Sequence, residues 1–257
     1  MPLTRTYDGL EPIRVNKWLA QSGVCSRREA EDLIEKGLVS INGETVTSPG
    51  HKIAPGETLT LKPKGTKALS NKLSIILHKP EGYVSGTPED DQVPAVRLLT
   101  RANLSGRSPV IPGRRHKLAP LGRLDQDSRG LLILSEDGVL AKAIIGPDSG
   151  LEKEYRVRVV GALSSANLER LRHGLELDGK PLKPAIVEPV GKGMLKFVLR
   201  EGRNRQIRRM CDLVDLRVID LIRIRIGPLS LGDLPEGQWR PLGARDRARL
   251  LTKKSVG

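Results

Sequence analysis

Strand patterns and helix patterns interleave along the whole chain, and several strand patterns meet at hairpin turns. Glu154 to Val160 alternates, with Tyr155, Val157 and Val159 on one face. Leu195 to Leu199 alternates again. Val218 to Ile226 places Ile222, Ile224 and Ile226 on one face and Arg223 and Arg225 on the other. The unbroken apolar run Leu131-Leu132-Ile133-Leu134, within Gly130 to Ser135, reads as a buried strand, and Leu73 to His78 as another. Helix patterns cover Gly138 to Ile145, Ser164 to His173 and Gln206 to Leu213, with a turn at Asp178-Gly179. This mixture predicts an α+β fold on a mixed, largely antiparallel β-sheet flanked by helices. No internal repeat is present.

The N-terminal part reads as a separate small module. Arg14 to Ala20 is a short helix ended by Ser22-Gly23. Ser26 stands three residues before Glu29, a capping-box spacing that starts a second helix running to Lys36. Ala30, Leu33 and Ile34 share its apolar face and Gly37 stops it. Asn42-Gly43 then joins Val39-Ser40-Ile41 to Thr45-Val46, the strongest short-range hairpin signal. Helix, turn, helix and hairpin together, carried by Val15–Ala20, Cys25–Ala30 and Val39–Gly43, resemble the small RNA-binding module first seen in ribosomal small-subunit protein four. A DNA-binding helix-turn-helix is the rival reading; the trailing hairpin and the rest of the chain favour RNA. The expected organisation is a module over 12–62, a flexible basic linker over 63–72 and a larger domain over 73–250. Arg14, Lys17, Arg27 and Arg28, near the two helix starts, are the module's candidate RNA contacts.

Charge narrows the partner. The chain carries 44 Lys plus Arg against 30 Asp plus Glu, a net of +14. Residues 1–62 are neutral, whereas residues 151–257 carry a net of +10, so nucleic acid is the expected partner. One Phe, two Trp and three Tyr argue against an aromatic stacking platform for single strands. No run approaches the length of a spanning helix, and no secretory signal is evident. The expectation is therefore a cytoplasmic, non-membrane protein, read as a monomer. Two distant cysteines make no disulfide framework and no metal-ligand spacing.

Four patches carry candidate chemistry. His78-Lys79-Pro80-Glu81-Gly82-Tyr83 is a strand followed by a turn. Gly122-Arg123-Leu124-Asp125-Gln126-Asp127-Ser128-Arg129-Gly130 places an Asp on a glycine-bounded loop before the buried strand, where it serves as a nucleophile or base, or as a turn cap. Glu152-Lys153-Glu154-Tyr155 sets a Tyr at a strand start. Glu201-Gly202-Arg203-Asn204-Arg205-Gln206-Ile207-Arg208-Arg209-Met210 reads as an Arg-rich, phosphate-binding helix N-terminus. The segment from Arg97 to Leu118 is loop-like and basic, a surface insertion.

In this order the patches closely resemble the RsuA/RluB/RluE/RluF family of pseudouridine synthases, over nearly the whole chain to about Leu242. The resemblance implies isomerisation of a chosen uridine in ribosomal RNA, large-subunit (23S) RNA by the better match. Small-subunit (16S) RNA is the alternative target. A non-catalytic RNA-binding ribosome-assembly factor is the alternative class. The resemblance to the synthases implies Asp125 as the essential carboxylate, kept ionised by Arg208, with Arg205 the fallback partner. Tyr155 is then the ring that packs on the uracil. No cofactor and no metal are implied. Lys79, Arg123, Arg203, Arg205 and Arg209, with Arg223 and Arg225, are expected to contact RNA and offset the cost of flipping the base. The Arg97–Leu118 loop is longer than this family leads one to expect.

Overall fold

The computed structural model describes residues 1–252. The chain divides into two units: Met1–Leu73 with Ser135–Ala143, and Ser74–Leu134 with the residues from Ile144 onward.

In the first unit, β1 (Leu3–Thr6) is followed by helices α1 (Val15–Gln21) and α2 (Arg27–Glu35), then β2 (Val39–Ile41), β3 (Glu44–Thr45) and β4 (Thr58–Leu61). The strands form an antiparallel sheet in the order β1-β4-β2-β3. The capping box forms as expected. Ser26 Oγ accepts the Glu29 N–H at 3.3 Å, and Glu29 Oε2 accepts the Ser26 N–H at 2.6 Å. Ala30, Leu33 and Ile34 face the core. Asn42 (φ +49°) and Gly43 (φ +90°) are both left-handed, as the tight β2–β3 turn requires. Tyr7 meets Trp18 edge-on, ring centres 5.4 Å apart, inside a core that also takes in Leu19, Ile53, Leu59 and Leu61.

The stretch after β4 is not a flexible linker. Pro63–Ser70 forms helix α3, with Pro63 in the first turn, where its missing N–H costs nothing. Gly65 lies buried on the module: a β-carbon there would stand 2.6 Å from Leu61 Cδ1 and 3.3 Å from Leu33 Cδ2. A glycine makes the tightest contact, so hydropathy periodicity carries no trace of it.

In the second unit the main sheet is built from β5 (Ser74–Lys79), β6 (Arg129–Ser135), β7 (Lys153–Val160), β8 (Ile186–Gly191), β9 (Met194–Leu199), β10 (Arg217–Ile226) and β11 (Trp239–Pro241). Their order is β8-β9-β7-β10-β6-β5-β11. The pairs β8/β9, β9/β7, β7/β10 and β5/β11 are antiparallel, and β10/β6 is parallel. The central strands β5 and β6 are buried along almost their whole length, which is why β6 reads as an unbroken apolar run. On β7 the buried residues are Tyr155, Val157 and Val159, as the alternation predicts. On β10 burial does not follow the Ile face, although Ile226 is fully buried. Ile222 and Ile224 are only half-buried, whereas Arg223 is 1% exposed. Helices α4 (Gly138–Ile145), α5 (Ser165–Arg172), α6 (Gln206–Asp212) and α7 (Ala244–Leu251) complete the seven α-helices of the described residues, an α+β architecture. The start of the Arg97–Leu118 insertion is tied down by Trp239, whose Nε1 donates to Thr100 O at 2.8 Å and whose O accepts from Ser105 N at 2.8 Å. Arg97, Arg101, Arg107, Arg114 and Arg115 stay on the surface.

Candidate active site

The Asp125 loop is held at both ends by one residue. Arg223, on β10, sends Nε to Leu131 O at 2.8 Å, an Nη to Gly122 O at 2.9 Å and the other to Arg123 O at 3.3 Å. Its backbone abuts the far end of the loop. Gly130 has φ +109°, and a β-carbon there would fall 2.3 Å from Arg223 O and 2.7 Å from Arg223 N. Glycine is thus required at Gly130 both by torsion and by close approach. The buried guanidinium has no carboxylate partner among the described residues; three backbone carbonyls satisfy it. This is why Arg223 faces inward, its three donors spent on the loop.

Three further anchors fix the loop. Ser85 Oγ accepts the Leu124 N–H at 3.0 Å and donates to Leu124 O at 2.7 Å. The Pro80–Gly82 turn meets Gln126: Gly82 N donates to Gln126 O at 2.9 Å. Lys79, fully buried, donates its Nζ to Ser128 O at 2.6 Å and to Pro80 O at 2.8 Å. Burial pulls its pKa down to about 8, against the support of Glu81, Asp127 and Asp125. A lysine so enclosed cannot reach RNA, which corrects its expected role.

The arginine cluster is also engaged differently from expectation. Arg205 forms a two-pronged pair with Asp127 at 2.8 and 3.1 Å. Arg208 joins the same residue, with Nε 3.2 Å from Oδ2 and an Nη donating to the main-chain O at 2.5 Å. Neither pairs with Asp125. The residue two positions further along the loop is the one turned toward α6. Partial burial raises the Asp127 pKa, but the two arginines outweigh it and hold it below its usual 3.8. Arg209 pairs with Asp178 at 2.7 and 3.0 Å. Arg203 caps the carbonyls of Leu177, Lys180 and Pro181. Arg225 is taken by Glu154 at 2.9 Å and Glu152 at 3.4 Å. These arginines cross-link the domain, so the helix N-terminus is not an open phosphate cradle. Arg123, by contrast, is exposed, and no partner holds its side chain among the described residues.

The result is a cavity of about 680 Å³, lined by Asp125, Tyr155, Arg123, Arg205, Arg208 and Lys153 among others. Asp125 is half-buried; among the described residues no hydrogen bond or ion pair engages its carboxylate. Tyr155 is 8% exposed and sits opposite Arg223 in the β7/β10 register. A free carboxylate, a ring and a rim of cations therefore share one hollow, of a size that suits one nucleoside. In the first unit, Arg14, Lys17, Arg27 and Arg28 are exposed and unpaired among the described residues, at the first turns of α1 and α2. Sequence reasoning missed the roles of Asp127, Arg223 and Ser85. Asp127 had a usable signal, a second carboxylate two residues from the first.

Comparison with known proteins agrees with this geometry. Residues 73–213 match the family model of RNA pseudouridylate synthases, and residues 13–59 match the S4 domain. An RNA pseudouridine synthase of Aquifex aeolicus is 37% identical over 252 residues, 95% of each chain. The dual-specificity RNA pseudouridine synthase RluF of Escherichia coli is 33% identical over 235 residues, 90% of this chain and 75% of that protein. A crystal structure of a pseudouridylate synthase superposes with a TM-score of 0.63 at 27% identity, covering 93% of this chain and 99% of the other. The chain belongs to the RNA pseudouridylate synthase family and carries an S4 domain at its N-terminal end.

Proposed function

We propose that this pseudouridine synthase acts on ribosomal RNA, that of the large subunit, with Asp125 as its essential carboxylate. The observation that carries the reading is the unpaired Asp125 carboxylate in the same cavity as Tyr155, within a loop anchored at both ends by Arg223. The reaction breaks the bond from uracil N1 to ribose C1′, turns the base and joins C5 to C1′. The C5 hydrogen leaves to solvent and N1 takes up a proton, so electrons balance without an oxidant. The target base leaves its stack at a cost of roughly a few kcal/mol. Arg123, exposed one residue before the buried Leu124, contacts the RNA beside the flipped base. Tyr155 supplies the ring against which one uracil packs. Arg208, held on Asp127, keeps the loop from drifting and adds positive field to the cavity. The S4 module, through Arg14, Lys17, Arg27 and Arg28, grips the RNA outside the reacting nucleotide.

The protein is read as a cytoplasmic monomer; among the described residues no helix is long and apolar enough to cross a membrane. The test is pseudouridine mapping of 23S and 16S ribosomal RNA from cells lacking the gene. One site missing from 23S RNA supports the proposal. A site missing from 16S RNA transfers the activity to the small subunit, and intact maps in both refute ribosomal RNA as the substrate.

A further inference from the structure

Arg123 and Lys183 on the cavity's rim are exposed, whereas Lys153 is its half-buried cation with no partner among the described residues. It stands two residues before Tyr155 on β7, and i, i+2 residues of a strand share a face. Both line the cavity, whereas the intervening Glu154 does not; that carboxylate is held by Arg225 at 2.9 Å and lies 3.7 Å from Arg156. The strand irregularity at this point does not spoil the alternation. Tyr155 pairs with Arg223 and Glu154 with Arg225, so the extra residue is Ile224 on the neighbouring strand. The stem of Lys153 passes the first glycine of the Asp125 loop: a β-carbon on Gly122 would lie 4.0 Å from Lys153 Cε. Arg205, Arg208, Arg209, Arg225 and Lys79 all have partners. Among the described residues the Lys153 ammonium has none. Burial, with Arg223 adding repulsion, lowers its pKa. Its charge is therefore held at a cost that an anionic guest removes.

We propose that the Lys153 ammonium contacts the uracil of the flipped nucleotide and stabilises the negative charge that the ring carries while detached. This deepens, and rests on, the reading of Asp125 and Tyr155 as the uridine site. When the N1–C1′ bond breaks, its electron pair stays with the base and spreads from N1 onto the two carbonyl oxygens. When C5 joins C1′, the ring gives that electron pair to the new bond and its charge is discharged; loss of the C5 proton and protonation of N1 then restore the neutral ring. A fixed cation at a carbonyl oxygen acts where charge develops, and in a desolvated site such a donor is worth about 10²–10³ in rate. The contact is strongest in the transition state, so it belongs in the rate and not in RNA affinity.

The experiment compares Lys153→Met, Lys153→Arg and Asp125→Asn in the full chain. The probe is total ribosomal RNA from cells lacking the gene, tritiated at uridine C5. Single-turnover tritium release and Kd for the same RNA are measured. Lys153→Met is expected to slow release about 10²-fold or more, with Kd within about threefold (below 1 kcal/mol). Lys153→Arg is expected to recover at least about tenfold of that loss, as a cation at the same site should. Met keeps the apolar stem, and Lys153→Gln serves if the Met variant fails to fold. A wild-type rate in Lys153→Met beside an inactive Asp125→Asn overturns this inference alone. So does a loss confined to Kd, which marks a phosphate contact. An active Asp125→Asn overturns the site reading itself.

Discussion

Replacing Arg223 by Met tests how the Asp125 loop is held. The guanidinium is 1% exposed and donates to three carbonyls at 2.8, 2.9 and 3.3 Å. Met fills the stem's volume but leaves Leu131 O, Gly122 O and Arg123 O without that donor. A buried acceptor stripped of its partner costs about 1–3 kcal/mol. Leu131 O lies in a fully buried strand, while water in the cavity can relieve the two loop carbonyls, so the sum is about 3–5 kcal/mol. Removing a buried cation returns part of this, leaving a net loss of roughly 2–4 kcal/mol. At about 2–4 °C per kcal/mol for a domain of this size, Tm falls by roughly 5–15 °C. The loss of activity should be larger than stability alone explains, because a displacement of about 1 Å at a reacting group can cost 10²-fold. The assay pairs calorimetric unfolding with single-turnover pseudouridine formation below the lowered Tm. Arg223→Lys should recover little of either, since one ammonium cannot span three carbonyls. A Met variant that unfolds within about 2 °C of wild type, at an unchanged rate, would refute the latch.

Other outcomes follow from the same contacts. Gly130→Ala should destabilise by about 3 kcal/mol or more, since a left-handed torsion and a 2.3 Å approach to Arg223 O add up; a Tm shift below about 3 °C would contradict this. Lys79 has a depressed folded-state pKa of about 8 against an ordinary 10.5. The unfolded chain therefore binds more protons at this site between those values, and its destabilising contribution fades as pH rises through them. Relative to Lys79→Met, the wild type should gain stability between about pH 8 and 10.5; a difference independent of pH would refute it. RNA affinity should drop steeply between about 50 and 200 mM salt, and a flat response in a filter-binding titration would remove the phosphate-gripping role of the exposed basic residues.

What was legible in the sequence was local. The capping box at Ser26 and Glu29, the Asn42-Gly43 turn and the alternation around Tyr155 are each encoded within a few residues, and each formed. The misreadings are tertiary. Gly65 docks α3 on Leu61 and Leu33 without any hydropathy signature. On β10, alternation separates Arg from Ile but does not say which face is buried. Backbone carbonyls 92 to 101 residues away decide in favour of Arg223. Asp125 and Asp127 are near-equivalent in sequence, and only the fold shows that the arginines of α6 take Asp127, leaving Asp125 to the cavity. The charge surplus of the C-terminal half says nothing of its internal partners: Arg203, Arg205, Arg209 and Arg225 also cross-link carboxylates and carbonyls of their own domain.

The central claim is that the unpaired carboxylate of Asp125 carries the reaction. Its most direct test is pseudouridine formation and RNA binding by Asp125→Asn, a substitution that removes the charge and keeps the shape. No pseudouridine, with RNA affinity within about threefold of wild type (below 1 kcal/mol), is the predicted result. Pseudouridine formed at the wild-type rate would contradict it.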